Sequence, residues 1–206
     1  MMPRLTQLIC GSIVTGAALC GVLALRPRAS ATRTIEAALP DFGVLPEFSL
    51  IDQQGQTVSR QGLAGSVWVA DFIFTRCSGQ CPMMSAQMAA LQQAFGQPSG
   101  IRLISFTVDP AYDTREVLAA YAAHYGARPG RWQFVTGTPE AITALAEKGF
   151  RLSVAESGSA QEPITHSVRL VLIDQQGHIR GYYDATEAAV VDRLRTDAQR
   201  LARSGS

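Results

Sequence analysis

The segment Val67-Trp68-Val69-Ala70-Asp71-Phe72-Ile73-Phe74 is the strongest constraint in the chain. It is almost wholly apolar, as a strand covered on both faces must be, so it belongs in the middle of a sheet. Directly after it come Thr75-Arg76-Cys77-Ser78-Gly79-Gln80-Cys81-Pro82-Met83-Met84, a two-cysteine loop leading into a helix. The remaining elements are read as packing around this strand and presenting this loop.

Taken in order, Pro46 to Val58 reads as a β-hairpin with Asp52-Gln53-Gln54-Gly55 as its turn. The hexapeptide Leu-Ile-Asp-Gln-Gln-Gly recurs at residues 172–177; nothing around it repeats at that interval, so the two copies read as similar hairpin turns and not as a solenoid. After Cys81-Pro82, Met84, Met88, Leu91 and Phe95 recur at helical spacing, and Gly96 and Pro98 end the helix. A second apolar strand runs from Ile101 to Val108, followed by the loop Asp109-Pro110-Ala111-Tyr112-Asp113-Thr114. Val117, Leu118, Tyr121 and Tyr125 mark a second helix stopping at Gly126. A short strand near Trp132–Val135 precedes a third helix from Pro139 to Lys148, and a Ser/Gly/Glu loop spans 155–163. His166 to Ile173 reads as one strand, paired by a hairpin to Ile179–Tyr183, and Thr186 to Arg203 as a last amphipathic helix. Strand–helix alternation in the middle with hairpins at both ends predicts an α/β sheet of mixed direction flanked by helices.

From Leu5 to Leu25 no residue is charged, a stretch long enough at ~1.5 Å per residue to span the ~30 Å hydrocarbon core of a bilayer. Ala29-Ser30-Ala31 looks like a signal-peptide cleavage site, but Arg26, Pro27 and Arg28 separate it from the apolar run, which favours an uncleaved anchor over 1–28. A polar tether over 29–40 then leads to one domain over 41–206. Arg26, Arg28 and Arg33 follow the span and argue against export by the positive-inside rule. An N-terminal apolar segment on a one-span chain argues for export, and the domain is placed outside the cytoplasm. A net charge of +1 gives no basic surface to attract nucleic acid. Cys10 and Cys20 lie in the apolar leader, and Leu19 stands where a lipoprotein cysteine needs a small residue before it. Cys77 and Cys81 are therefore the only thiols of the soluble domain.

Proline pushes its predecessor out of the helical region, so Cys81 is expected at the helix cap with Pro82 at the first helical position. There the unpaired amides and the helix dipole favour a thiolate. Two thiols at this spacing either form a short disulfide or share a soft metal, and a CxxxC alone does not decide between them. Thiolate with imidazole suits Cu(I), Cu(II) or Zn(II), whereas Ca(II) and Mg(II) want oxygen. Of the three histidines, His124 and His178 read as solvated. His166 stands at the head of an apolar strand after a flexible loop, where it can fold over the cysteines.

Phe72-Ile73-Phe74-Thr75-Arg76-Cys77-Ser78-Gly79-Gln80-Cys81-Pro82 resembles the FxFTxCPxxCP signature of the Sco/SenC family, membrane-anchored copper proteins of cytochrome c oxidase assembly. Val108-Asp109-Pro110-Ala111-Tyr112-Asp113-Thr114 is similar to the family's VDPxxDT element, and His166-Ser167 with Leu172-Ile173-Asp174 to its HSxxxxLID segment. The resemblance covers residues 44 to about 200 and implies a thioredoxin-like fold in which Cys77, Cys81 and His166 bind copper, as Cu(I), Cu(II) or both. It further implies delivery to the copper-centre subunit of cytochrome c oxidase, with other copper chaperones or thiol reductases as partners. Its setting would be a bacterial inner membrane with the domain facing the periplasm, or a mitochondrial inner membrane with the domain facing the intermembrane space. Ser78 departs from the family, which has proline there; this leaves the ligand set intact but loosens the loop.

Asp109 should emerge at the carboxyl end of a strand next to the cysteine strand, where it can orient a ligand or meet a partner. Asp113 reads as a helix-start residue, and Asp71 as a buried acid, either poised near the thiols or satisfied by a backbone amide. Met83, Met84 and Met88 read as core filler sooner than as soft copper sites. The competing function is thiol-disulfide exchange by Cys77 and Cys81 on the oxidase subunit or other exported proteins. A thioredoxin-fold peroxidase is disfavoured, because neither cysteine lies in the Pro-x-x-x-Thr-x-x-Cys setting of such enzymes.

Overall fold

The computed structural model describes residues 38–96, 100–156 and 164–204, with the backbone alone at 154–156 and 164–166. The expected membrane span, most of the expected tether, and Cys10 and Cys20 lie outside the described residues. No helix among the described residues is long and apolar enough to cross a membrane.

The sheet is mixed, as expected. Strands β1 (Ser49–Asp52), β2 (Thr57–Ser59), β3 (Val67–Ile73), β4 (Ile101–Thr107), β5 (Trp132–Thr136), β8 (Arg169–Ile173) and β9 (Ile179–Asp184) lie in the order β2-β1-β5-β4-β3-β8-β9. β3, β4 and β5 run parallel, while β8 runs antiparallel to β3 and β1 antiparallel to β5. Every residue of β3 is buried, because strands pair along both its edges and helices or loops cover both its faces.

Alternation along β3 sends its side chains to two different cores. Trp68 and Phe72 join Phe48, Phe106 and Phe150 in an aromatic cluster whose ring centroids lie 5.2–6.3 Å apart. The alternate set, including Asp71, belongs to the opposite face. There Ser85 of α2 (Gln80–Ala94) hydrogen-bonds Tyr121 of α3 (Arg115–His124), whose ring meets Phe134 of β5. The last helix, α5 (Val190–Ser204), packs beside α2 and buries Val190, Leu194 and Ala198 at four-residue spacing.

The two Leu-Ile-Asp-Gln-Gln-Gly copies form matching turns. Asp52 Oδ1 accepts the amides of Gln54 and Gln56, and Asp174 Oδ1 those of Gln176 and His178. Gly55 and Gly177 close the turns at φ +80° and +85°, a conformation that favours glycine.

Several boundaries differ from expectation, among them the start of α5, at Val190 and not at Thr186. The short helix α1 (Arg60–Leu63), capped by the Ser59 side chain, follows the first hairpin unannounced. The third long helix divides into α4 (Pro139–Ala144) and a π-helical turn, Leu145–Gly149, whose wider winding is closed by a hydrogen bond from Phe150 N–H to Leu145 C=O. The expected strand 166–173 also divides. His166 belongs to β7 (Ile164–His166), which pairs with β6 (Val154–Glu156) in a separate two-stranded ribbon, and β8 starts only at Arg169.

Candidate metal centre

The cysteine loop begins where β3 leaves the sheet. Cys77 N–H donates to Phe74 C=O at 3.3 Å, which turns the chain back over the strand end. Cys77 Sγ accepts the Cys81 amide at 3.4 Å, and Cys81 Sγ accepts the Phe74 amide at 3.5 Å. The two sulfurs are thus held against the same few backbone atoms, and neither is in a disulfide. Cys77 is 8% exposed and Cys81 is fully buried, so Cys77 is the sulfur an incoming partner meets first.

The expected cap geometry is corrected. The helix starts at Gln80 with Gly79 as its cap, so Cys81 lies inside the first turn and Pro82 one position further in, where its missing N–H still costs nothing. The expected lowering of the Cys81 pKa is corrected as well. Burial pushes this thiol above its ordinary value and outweighs the amide of Phe74, which acts the other way. A buried thiol gives up its proton readily only to something that replaces it, such as a metal ion or a sulfur partner.

The side chain of His166 lies outside the described residues. Its backbone is placed by topology. The pairing Trp68↔Ile173 through Ala70↔Val171 carries the start of β8 toward the carboxyl end of β3. Ser167 and Val168 then join β8 to the ribbon holding His166 at that end of the sheet. Among the described residues no group of three His, Cys, Asp or Glu side chains gathers to hold a metal ion. His178 Nδ1 lies 2.9 Å from Asp41 Oδ2, and His124 is exposed at the end of α3.

Asp109 lies at the carboxyl end of β4, beside the loop, where its carboxylate accepts Arg76 Nε–H at 2.7 Å. It therefore positions the residue next to Cys77. The pairing holds the Arg76 guanidinium above its ordinary pKa. The Arg76 guanidinium carbon in turn sits 5.0 Å from the centre of the Tyr112 ring.

Asp113 is not the helix-start residue expected. Thr114 caps α3 by accepting the Val117 amide. Asp113 is fully buried and accepts the Thr75 amide at 3.1 Å, the Thr75 hydroxyl and the Thr107 hydroxyl. It clamps the end of the cysteine strand to the end of β4. The threonines in Phe-Thr-Arg-Cys and Phe-Thr-Val-Asp were the available signal, since hydroxyls at two neighbouring strand ends call for a shared acceptor.

Asp71 is fully buried and neither carboxyl oxygen makes a hydrogen bond of ordinary geometry, although its own amide and the Ser105 hydroxyl stand close enough to favour the charged form in part. Burial raises its pKa to about 7, the Ser105 hydroxyl across the strand pair offsetting only part of the effect, and its charge opposes ionisation of Cys81. Met84 and Met88 are fully buried core residues, as expected, and Met83 packs against the core.

A family profile described as SCO1/SenC matches residues 37–201. The chain is 32% identical over 154 residues to the SCO1 protein homolog of Bacillus subtilis, covering 74% of this chain and 79% of that one. Among solved structures it is similar to that of BsSco, a member of the Sco family of cytochrome c oxidase assembly proteins in which a disulfide switch was identified. The TM-score is 0.72 at 29% identity, over 81% of this chain and 98% of that one. It also shares its fold with Bradyrhizobium japonicum ScoI, solved with copper bound, at TM-score 0.66 and 20% identity over 77% and 99% of the two chains.

Proposed function

Since the chain belongs to the SCO1/SenC family, we propose that it carries copper on Cys77, Cys81 and His166 and delivers it to the dinuclear copper centre of cytochrome c oxidase. The carrying observation is the pair of reduced thiols held against one turn of backbone at the end of β3. Two sulfurs and an imidazole make a soft donor set, which suits Cu(I) or Cu(II) and offers little to oxygen-seeking cations. The β6–β7 ribbon leaves the sheet at the end from which the cysteine loop emerges, which supports a histidine closing over the thiols. The apolar run from Leu5 to Leu25 would hold the domain at a bacterial inner membrane facing the periplasm, or at the mitochondrial inner membrane facing the intermembrane space. Other copper chaperones or thiol reductases would supply the metal or keep the thiols reduced.

The same two sulfurs support thiol-disulfide exchange as a second reading, favoured by their adjacency and by the disulfide switch named for BsSco. Oxidation to a disulfide removes two electrons and both thiol protons, and the disulfide form cannot hold copper, so the activities exclude one another at any instant. His166→Ala separates them. Removal of a ligand should lower Cu(I) affinity by more than about 100-fold, beyond the usual effect of losing an outer-shell partner, and leave disulfide reduction unchanged. Wild-type Cu(I) affinity for that variant in a chelator competition would overturn the ligand set.

A further inference from the structure

We infer that Arg76 and Tyr112 form a recognition lip that selects a partner segment carrying a carboxylate beside its own cysteines. The inference deepens the reading above, in that the cysteine pair must meet a thiol-bearing partner. Arg76 directly precedes Cys77, the more accessible of the two sulfurs. Its Nε donates to Asp109 while its guanidinium lies over the Tyr112 ring, and its side chain is still 45% exposed. The arginine is thus held on two sides and open on the third.

A fixed guanidinium has already lost the rotamer freedom that a surface arginine would give up on binding. Only Nε is engaged, so both Nη groups keep their donors for the fork-to-fork pairing that a carboxylate accepts. The acids nearby do not compete for those donors. Asp109 is 9% exposed and already taken up by Nε, and Asp113 is saturated by Thr75 and Thr107. Tyr112 adds a half-exposed aromatic surface next to the charge, and Tyr and Arg are the residue types that dominate interface energetics. Adjacent Cα atoms lie ~3.8 Å apart, so a partner sulfur at Cys77 brings residues one or two away from it over Arg76. An acidic residue there is favoured and a basic one repelled.

Disulfide peptides test this on the full-length, reduced protein. Cys77 Sγ, as thiolate, attacks one peptide sulfur; the peptide S–S bond breaks, and its second sulfur leaves as a thiolate and takes up a proton. Cys81 then displaces the first peptide sulfur. The protein ends with a Cys77–Cys81 disulfide, and the peptide with two thiols and the two electrons. With cyclised Cys-Ala-Glu-Ala-Cys and Cys-Ala-Lys-Ala-Cys at low salt, the wild type should reduce the acidic peptide about tenfold faster, a preference shrinking as salt rises. R76Q should level the two rates and R76E should reverse them. Equal rates in the wild type, retention of the acidic preference by R76E, or equal slowing of both peptides would overturn the inference. R76E should also keep wild-type Cu(I) affinity; loss of that affinity would show that Arg76 shapes the site instead of reading the partner, and would overturn it too. A wild type that holds no Cu(I) would sink the copper reading and leave the peptide comparison standing.

Discussion

Thr75 gives both its backbone amide and its hydroxyl to the carboxylate of Asp113, a residue 38 positions later in the chain. The Thr107 hydroxyl reaches the same carboxylate, so one buried side chain ties the root of the cysteine loop to the next strand. Asp113→Ala leaves three donors without an acceptor at a fully buried site. At ~1–3 kcal/mol for each unsatisfied group, partly relieved by water entering, a loss of about 3 kcal/mol is expected from the urea midpoint. Cu(I) affinity should fall with it, because the loop loses its anchor. A change below about 0.5 kcal/mol, the ordinary range of surface substitutions, would show that the clamp is not needed.

Asp71 makes a prediction in pH. Its pKa stands near 7 in the folded chain, against an ordinary value of 3.8 that the unfolded chain should show. Between those values the folded state keeps a proton that the unfolded state has lost, so its stabilising effect is full below about pH 4 and is lost as pH rises to about 7. Asp71→Asn carries no such titration. Its stability relative to wild type should climb across that window and reach an advantage of about 2 kcal/mol at pH 8, after allowing for burial of the amide. Parallel pH profiles from urea titrations of the two proteins would contradict a buried, unpartnered carboxyl.

The unequal exposure of the two sulfurs sets their reactivity. Cys77 is 8% exposed, whereas Cys81 is fully buried and its thiol is held protonated by that burial. Iodoacetamide on the native, reduced protein should modify Cys77 at least about tenfold faster, as read by peptide mass mapping. Cys77→Ser should leave Cys81 almost unlabelled, whereas Cys81→Ser should leave Cys77 reactive. Equal labelling of the two cysteines would mean that the loop opens as a unit and that Cys77 is not the point of attack.

What the sequence made readable follows the range of the interactions. The β3 strand was plain because burial on both faces shows as an unbroken apolar run, and the twin turns because an Asp side chain and a glycine act within four residues. The closeness of Cys77 and Cys81 was readable for the same reason. The start of α2 was misplaced by two residues because proline is tolerated anywhere in the first turn, not only at its first position. The Asp113 clamp and the Arg76–Asp109 pair were missed because their partners lie 38 and 33 positions away, where no local pattern reports them. The ribbon holding His166 was hidden in the same way, since its register is set by Val154 across a loop.

The twin turns provide a test of how far local chemistry alone determines this fold. Gly177 sits at φ +85°, and a Cβ there would meet only the Arg60 stem, at 3.5 Å or more, an ordinary contact. Gly55 has φ +80°, but a Cβ there would collide with Arg115 Nη1, so a substitution would also have to move that side chain. Position 177 therefore isolates the backbone term. Asn adopts the left-handed region with local help from its own side chain, Ala pays about 1 kcal/mol, and β-branched Val pays more. The expected order of thermal stability is wild type, Gly177→Asn, Gly177→Ala, Gly177→Val, with the alanine variant melting several degrees below wild type. If all three variants melted together, left-handed geometry would not be what glycine supplies at this turn, and the recurrence of the hexapeptide would need another cause.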